Sequence, residues 1–257
     1  MTRVQPRSRI HSTRLVRFLS ENGMVDAAPA SEDVGQRLGD WLNFRQAIAL
    51  HGLLHPENPT SPAPSSRTPP LSAAALRQHV TRVRAALEQS IQQGAPAGSG
   101  LQRIDMPPAE LDEPIEPKTA FDPYRRFQAA HQRQMETVIR NLRVQVRAQL
   151  SKASPALQQL ATLDAAFENT LSEREAMLLG KVSRMLEKRF ALALKQHLKK
   201  QAESATDPTC PPQEKPLTWL LPIRQAMRSA LLAELDTRLQ PTLGLVEAFN
   251  AENTQEQ

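Results

Sequence analysis

Apolar residues recur every three or four positions over most of this chain. At about 100° per residue this spacing places them on one side of a helix, whereas strands require strict alternation. The clearest case covers residues 122–150. Its apolar members share one side of the predicted helix: Tyr124, Phe127, Met135, Val138, Leu142, Val146 and Leu150. The pattern therefore predicts a long amphipathic helix over 122–150.

The other side of this helix is basic. Arginines recur there every seventh residue, and the full candidate interaction face, which we call the arginine stripe, consists of Arg126, Arg133, Arg140, Arg143 and Arg147. Steps of seven residues correspond to about 10.5 Å along a helix, which suits phosphates or the carboxylates of a partner helix. A solvated helix surface explains the same pattern without a ligand, and we favour that interpretation.

Shorter helices are predicted before residue 121. Ser12 or Thr13 can cap a first helix that Gly23 ends, and Ser31 caps a longer one. The buried face expected of this longer helix contains Val34, Leu38, Trp41, Leu42, Ile48 and Leu53. We interpret residues 11–54 as an N-terminal helical hairpin. Residues 71–93 form a single helix that begins at Ser72 and ends at Gly94.

Two further long helices follow residue 153. Ser154-Pro155 supplies a cap and a first helical position, and the helix is predicted to continue to about residue 203. Its inward side is expected to hold Leu157, Leu160, Leu163, Phe167, Leu171, Leu178, Val182, Met185, Leu186 and Leu194. The last helix is predicted over 218–239, broken or kinked by Pro241 and followed by a short apolar tail. Residues 121–250 would then form a C-terminal bundle of long helices.

Proline-rich segments separate these parts. We predict disordered tails at 1–10 and 251–257, a proline-rich linker at 55–70 and an acidic, proline-rich linker at 94–120. Between 101 and 118 this second linker holds five acids and two bases. It could fold over the arginine stripe and neutralise it.

Composition favours an all-α protein, an irregular antiparallel helical bundle. Only 4% of residues are aromatic, and the β-branched runs typical of strands are missing. The formal charge is +5, which permits an anionic partner without requiring one. The amphipathic helix could also lie on anionic lipid, although neighbouring helices offer matching apolar faces. A lone cysteine, Cys210, and the absence of an 18-residue apolar run lead us to expect a cytoplasmic protein.

Candidate chemistry is sparse. The sequence holds no nucleophile motif, glycine-rich phosphate loop, zinc signature or recognisable nucleic-acid-binding motif. His51 and His55 are four residues apart, but Gly52 and Pro56 make a metal site there improbable. His131 falls on the apolar side of the 122–150 helix, where we expect a buried, hydrogen-bonded histidine. We therefore expect no enzyme activity, no cofactor and no metal.

Several segments together resemble a known family. They are Arg14-Leu-Val-Arg-Phe-Leu, Gln36-Arg-Leu-Gly-Asp-Trp-Leu-Asn-Phe-Arg-Gln-Ala-Ile, Phe121-Asp-Pro-Tyr-Arg-Arg-Phe with His131-Gln-Arg, Ser154-Pro-Ala-Leu-Gln-Gln-Leu and Leu186-Glu-Lys-Arg-Phe. They resemble a proteobacterial family catalogued as domain of unknown function 3348. The resemblance covers about residues 10–200. It implies an accessory role near envelope complexes of the stator-like and OmpA-like kinds.

Two functional hypotheses remain open at this point. The first is a non-enzymatic scaffold or adaptor whose long helices dock a protein partner or self-associate. The second is a nucleic-acid- or anion-binding protein that uses the arginine stripe.

Overall fold

A computed structural model describes residues 13–23, 34–54, 71–109, 115–205 and 219–255. Within these ranges the chain forms seven helices and no strand, which confirms the all-α prediction. The helices are α1 (Arg14–Glu21), α2 (Val34–Trp41), α3 (Phe44–Leu54), α4 (Ala73–Gln93), α5 (Asp122–Ala153), α6 (Pro155–Ala205) and α7 (Leu221–Gln255).

The chain divides into two compact units. Unit 1 comprises Met1–Val80, Ile139–Ser172 and Asp236–Gln257, and unit 2 comprises Thr81–Val138 and Glu173–Leu235. Each of the helices α4 to α7 contributes residues to both units. The division predicted from the sequence was by segments, with residues 71–93 as a single helix and residues 121–250 as one bundle.

Some predictions lie outside the described residues. These are the N-terminal tail, the 55–70 linker, the Ser31 cap, His55 and Cys210. The side chains of Val34 and Leu38 are also outside the description, although their backbone belongs to α2.

The prediction of one helix from Ser31 to about residue 54 was wrong, because the chain forms two helices there. α2 ends at Trp41 and α3 begins at Phe44. Asn43 and Gln46 exchange hydrogen bonds, since the backbone N–H of each donates to the side-chain oxygen of the other at 2.9 Å. This reciprocal arrangement is a capping box, which marks the start of a helix, so α3 begins as a separate helix after α2 has ended.

The first helix agrees with its prediction. The hydroxyl oxygen of Thr13 accepts a hydrogen bond from the backbone N–H of Val16, as an N-cap does. At the other end Gly23 has a φ of 68°, a conformation that glycine adopts without a steric penalty. Phe18 is the buried residue of this helix.

In both units α4 lies along α5. In unit 1 the side-chain oxygen of Gln149 accepts from the backbone N–H of Leu71, and His79 is hydrogen bonded to Gln145. The residue numbers of these pairs run in opposite directions, so the two helices are antiparallel there. In unit 2 the side chain of Gln134 donates to Ser90. α4 is therefore part of the helical packing and not a free-standing element.

The start of α6 agrees with its prediction, but its buried side differs at one position. The hydroxyl oxygen of Ser154 accepts from the backbone N–H of Leu157, and Pro155 is the first helical residue. Leu178 was predicted to be inward, yet it is 45% exposed, and its neighbour Leu179 is buried. The buried positions 179, 182, 186, 190 and 194 continue at steps of three and four.

α7 continues through Pro241 to Gln255, so the predicted end of the helix near residue 239 was wrong, and residues 251–255 are helical where a disordered tail was predicted. A proline inside a helix removes one backbone hydrogen bond and costs about 3 kcal/mol. Apolar residues on both sides of Pro241 are buried, among them Leu239, Leu245 and Phe249. Their burial contributes about 1.5–3 kcal/mol each, which exceeds the cost of the proline.

The described part of the acidic linker contains no helix or strand, and hydrogen bonds fix it to unit 2. The backbone N–H of Gln102 donates to Gln134 on α5 at 2.8 Å. The carbonyl oxygen of Pro107 accepts from Arg224, and that of Pro108 accepts from the Tyr124 hydroxyl. Side chains of the long helices thus satisfy backbone groups of a segment that has no ladder of its own.

Candidate interaction surfaces

Two arginines of the arginine stripe are buried, which differs from the common outward face that the spacing suggested. The side chains of Arg143 and Arg147 are each 12% exposed, and they face two carboxylates of α6 in unit 1, those of Asp164 and Glu168. These four residues, which we call the ion-pair cluster, lie together in unit 1.

The ion-pair cluster has the geometry of strong charge-assisted hydrogen bonds. Arg143 donates from Nε to Asp164 at 2.8 Å and from Nη2 to the other oxygen of the same carboxylate at 2.6 Å. Arg147 is hydrogen bonded to Glu168 and lies 3.7 Å from Asp164. Such two-pronged pairing orients both side chains and fixes the register of the two helices.

The remaining arginines of the stripe, Arg126, Arg133 and Arg140, are exposed. Arg133 lines a cleft of about 410 Å³ in unit 2, together with Gln102 of the acidic linker. The linker therefore passes beside Arg133, which is one condition of the hypothesis that it neutralises the stripe. Among the described acids of the linker, however, Asp105 pairs with Arg103, and Glu116 accepts from Thr119.

His131 is buried in unit 2 at 1% exposure, as predicted for its position on the apolar side of α5. Its ring meets that of Phe127 edge-on at 4.6 Å. Burial lowers the pKa of His131 from 6.5 to about 4, because the charged imidazolium would lose its hydration. Within the described ranges its Nε2 has no hydrogen-bond partner, so the predicted hydrogen bond is not found at this nitrogen, and the side-chain amide of buried Gln128 also lacks a partner there. The histidine is thus held neutral.

α3 carries apolar residues on two opposite sides. Leu50 is buried, and the neighbouring Leu53 is half-buried. At 100° per residue Phe44 and Ile48 lie only about 40° apart and face away from that side. They are 81% and 57% exposed, and Trp41 at the end of α2 is 41% exposed. The prediction that Trp41 and Ile48 are buried was therefore wrong, and we call Phe44 and Ile48 the α3 apolar face.

The carboxyl-terminal half of α6 presents a basic surface that our interpretation of the sequence had missed. Lys181, Lys188 and Lys195 recur every seventh residue with Arg184 between them, and all four are exposed. They lie opposite the buried residues of the same helix, such as Leu186. The seven-residue spacing is the same as in the arginine stripe, so the sequence contains the signal of this basic surface.

Within the described residues, no group of three or more His, Cys, Asp and Glu side chains is arranged to hold a metal ion. In that part of the chain no helix is both long and apolar enough to span a membrane.

Comparison with known proteins identifies the family of this chain. Residues 1–251 match the family described as "Protein of unknown function (DUF3348)", so the chain belongs to that family, as the resemblance indicated. No curated protein and no solved structure matches the chain.

Proposed function

For this member of a family without an assigned activity, we propose a non-enzymatic helical scaffold or adaptor that docks an apolar helix of a partner protein. The α3 apolar face carries the proposal. A phenylalanine exposed to 81% and an isoleucine exposed to 57% share one side of a short helix whose other side is already buried. Clusters of large exposed apolar residues are typical of protein contact sites.

The α3 apolar face is too small to form a complete interface by itself. Each of its two side chains can bury at most ~150–250 Å². Their sum is below the ~800 Å² that each side of a standard interface buries. The face therefore anchors one part of a contact, and the remaining area has to come from other surfaces of the adaptor.

A double substitution tests this function. Phe44→Ser with Ile48→Ser removes the two most exposed anchors and should leave the free energy of unfolding within about 0.5 kcal/mol, because neither residue is buried. Burying each anchor is worth about 1.5–3 kcal/mol, so partner affinity should fall by at least about tenfold. Quantitative affinity purification from the native host, followed by titration of the recovered partner, measures this loss.

Val144→Ser is the matched control, since Val144 is an apolar residue of α5 that is also 53% exposed. Proteins retained by the parent and by Val144→Ser, but lost with the double variant, are partners of the α3 apolar face. An unchanged partner list in the double variant would refute the proposal. A dimer that only the double variant loses, seen by light scattering, would replace the partner helix by a second copy.

The proposal includes a cytoplasmic location and, from the family resemblance, an accessory role beside an envelope complex. The single cysteine of the chain supports the first, since a reducing compartment suits an unpaired thiol. Both can be examined in the same purification by fractionating the cells before the partner proteins are identified.

Nucleic-acid or anion binding remains the second candidate, now restricted to the exposed arginines of the stripe. Arg126→Gln with Arg133→Gln removes two exposed charges and spares the ion-pair cluster. If these arginines contact phosphates, the slope of log affinity against log salt should become less steep by about 2. Unchanged binding of duplex DNA, measured by fluorescence anisotropy, would exclude this candidate.

A further inference from the structure

The outer side of α6 in unit 2 carries basic and apolar residues in one row. At 100° per residue, six residues between 177 and 195 lie within about 40° of Lys188 around the helix. These residues, which we call the basic row of α6, are all exposed: Met177, Lys181, Arg184, Lys188, Leu192 and Lys195. The buried residues of this stretch, such as Leu186 and Phe190, lie on the opposite side. The row is therefore open to another molecule.

The described part of the chain does not neutralise the charges of the row. Glu187 is the one acid between residues 177 and 199. It lies about 100° from Lys188 around the helix, and it pairs with Arg125 of α5 at 2.5 Å. Lys199, one turn beyond the row, has its own partner in Glu203 at 3.7 Å. Within the described ranges the four cations of the row thus have no carboxylate partner, so the row attracts an anionic molecule.

Two large apolar side chains belong to the same row. Met177 is 58% exposed and Leu192 is 60% exposed. They are about 22 Å apart along the helix. Leu192 follows Lys188 by one turn and precedes Lys195 by one turn, so it is flanked by cations on its own side of α6. A molecule that covers this row needs anionic groups and apolar groups side by side.

This combination distinguishes between the possible anionic partners. A nucleic-acid backbone offers phosphates but nothing apolar to cover a leucine, and the row has no aromatic residue on which a base could stack. A helix that lies on a membrane buries a continuous apolar face, whereas the continuous apolar face of α6 is buried in unit 2. A second copy of the row would bring like charges together, which costs free energy. An acidic helix with apolar residues meets both requirements.

We propose that the basic row of α6 docks an acidic amphipathic helix of another protein. Its aspartates or glutamates pair with Lys181, Lys188 and Lys195, and one of its apolar residues covers Leu192. Successive lysines of this set are about 10.5 Å apart along α6, which equals the distance between every seventh residue of a partner helix lying alongside. The inference goes beyond docking at the α3 apolar face and uses none of its residues, so either can fail while the other holds.

The test uses the full chain and two synthetic helical peptides. Both peptides carry glutamates at every seventh position on one side. The first has leucines beside these glutamates, and the second has alanines at the same positions. Fluorescence anisotropy of a dye on each peptide measures its affinity. We expect the leucine peptide to bind about tenfold more tightly, because it also buries apolar surface, and both affinities to fall as salt is added, because surface charge pairs are screened.

Charge reversal tests the contribution of the lysines. Lys188→Glu with Lys195→Glu should weaken the binding of the leucine peptide by about tenfold, since each reversed charge turns an attraction into a repulsion. Arg82→Glu with Lys152→Glu is the matched control, because it changes the net charge equally at exposed positions on α4 and α5. The control should leave the affinity unchanged.

A polar substitution tests the contribution of Leu192. Leu192→Ser should weaken the binding of the leucine peptide by about tenfold and leave that of the alanine peptide unchanged, because only the first peptide offers an apolar side chain to cover this position. Val144→Ser, at an apolar position of α5 that is 53% exposed, should alter neither affinity. Circular dichroism of every variant establishes that its helices are retained.

Three results would overturn the proposal. One is the failure of both peptides to bind the parent chain at low salt. Another is equal affinity of the two peptides for the parent chain, because charge alone would then account for the binding. The last is displacement of the leucine peptide by duplex DNA or by phosphatidylglycerol vesicles at a lower concentration than the unlabelled leucine peptide requires, which would assign the row to a nucleic acid or to a membrane surface.

Discussion

The two ends of α5 bury polar side chains in opposite ways. In unit 1, Arg143 and Arg147 are enclosed together with carboxylates of α6 that accept their hydrogen bonds. In unit 2, Gln128 and His131 are buried at 1% exposure, and within the described ranges the amide of Gln128 and the Nε2 of His131 have no hydrogen-bond partner. Within the described ranges, α5 thus buries polar side chains that are hydrogen bonded at one end and polar side chains that lack partners at the other.

The difference shows which buried polar groups a helix pair can hold. A buried charge is tolerated only with a partner, because an isolated one costs several kcal/mol. A neutral amide or imidazole without a partner costs about 1–3 kcal/mol, which surrounding apolar contacts can offset. We therefore expect the free energy of unfolding to fall when one partner of the ion-pair cluster is removed. Replacing Gln128 or His131 by an apolar residue should not lower it.

Breaking the ion-pair cluster should have the largest effect. Asp164→Asn keeps the size of the side chain but leaves two buried arginines with the single carboxylate of Glu168. We expect the free energy of unfolding, measured by urea denaturation, to fall by about 3 kcal/mol. Asp105→Asn is the matched control, since its pair with Arg103 is 69–81% exposed and should contribute less than about 0.5 kcal/mol.

A second variant separates charge pairing from packing. Arg143→Met with Asp164→Leu replaces the closest pair by apolar side chains and should recover most of the lost stability. Equal losses for Asp164→Asn and Asp105→Asn would show that the burial of the cluster contributes nothing.

His131 should make the stability of the protein depend on pH. Its pKa is lowered from 6.5 to about 4 by burial, so the unfolded chain takes up a proton before the folded one does. Stability is then full above about pH 6.5 and declines as pH falls toward 4. Between pH 7.5 and pH 5 the decline from this group should be about 2 kcal/mol.

His131→Leu tests this by removing the titrating group from the same apolar position. The variant should lose about 2 kcal/mol less than the parent over that pH interval, measured by urea denaturation at each pH. His51→Gln, a change at an exposed histidine, is the matched control. A parent and a His131→Leu variant with identical pH dependence would show that folding does not shift the pKa of His131, so the imidazole would not be desolvated in the folded state.

The positions of the helices could be predicted from the sequence better than the burial of the residues on them. Apolar spacing located α4, α5 and α6 because helix periodicity is a local property, and Ser72 and Ser154 cap their helices as predicted. The break before α3 was equally local, since Asn43 and Gln46 have the spacing of a capping box, but the apolar residues around it suggested one continuous helix.

The burial of Arg143 and Arg147 could not be predicted from spacing. Periodicity gives the angle of a residue around its own helix, and Arg140 and Arg147 have nearly the same angle. Which of them is covered depends on the neighbouring helix, where Asp164 and Glu168 are one turn apart. That pairing is a property of the tertiary structure, so spacing alone could not predict which arginines of the stripe are covered and which are exposed.

Gln128 should show the smallest effect and the opposite sign. Gln128→Met keeps the length of the side chain and removes two buried polar atoms that lack a partner within the described ranges. Because an unsatisfied buried amide costs about 1–3 kcal/mol, the variant should unfold at higher urea concentration, with a gain of about 1 kcal/mol. Gln145→Met is a suitable control, since that amide oxygen is hydrogen bonded to His79 and its loss should not stabilise. A destabilised Gln128→Met would mean that the amide is satisfied in solution, and the contrast between the two ends of α5 would then be one of partner type alone.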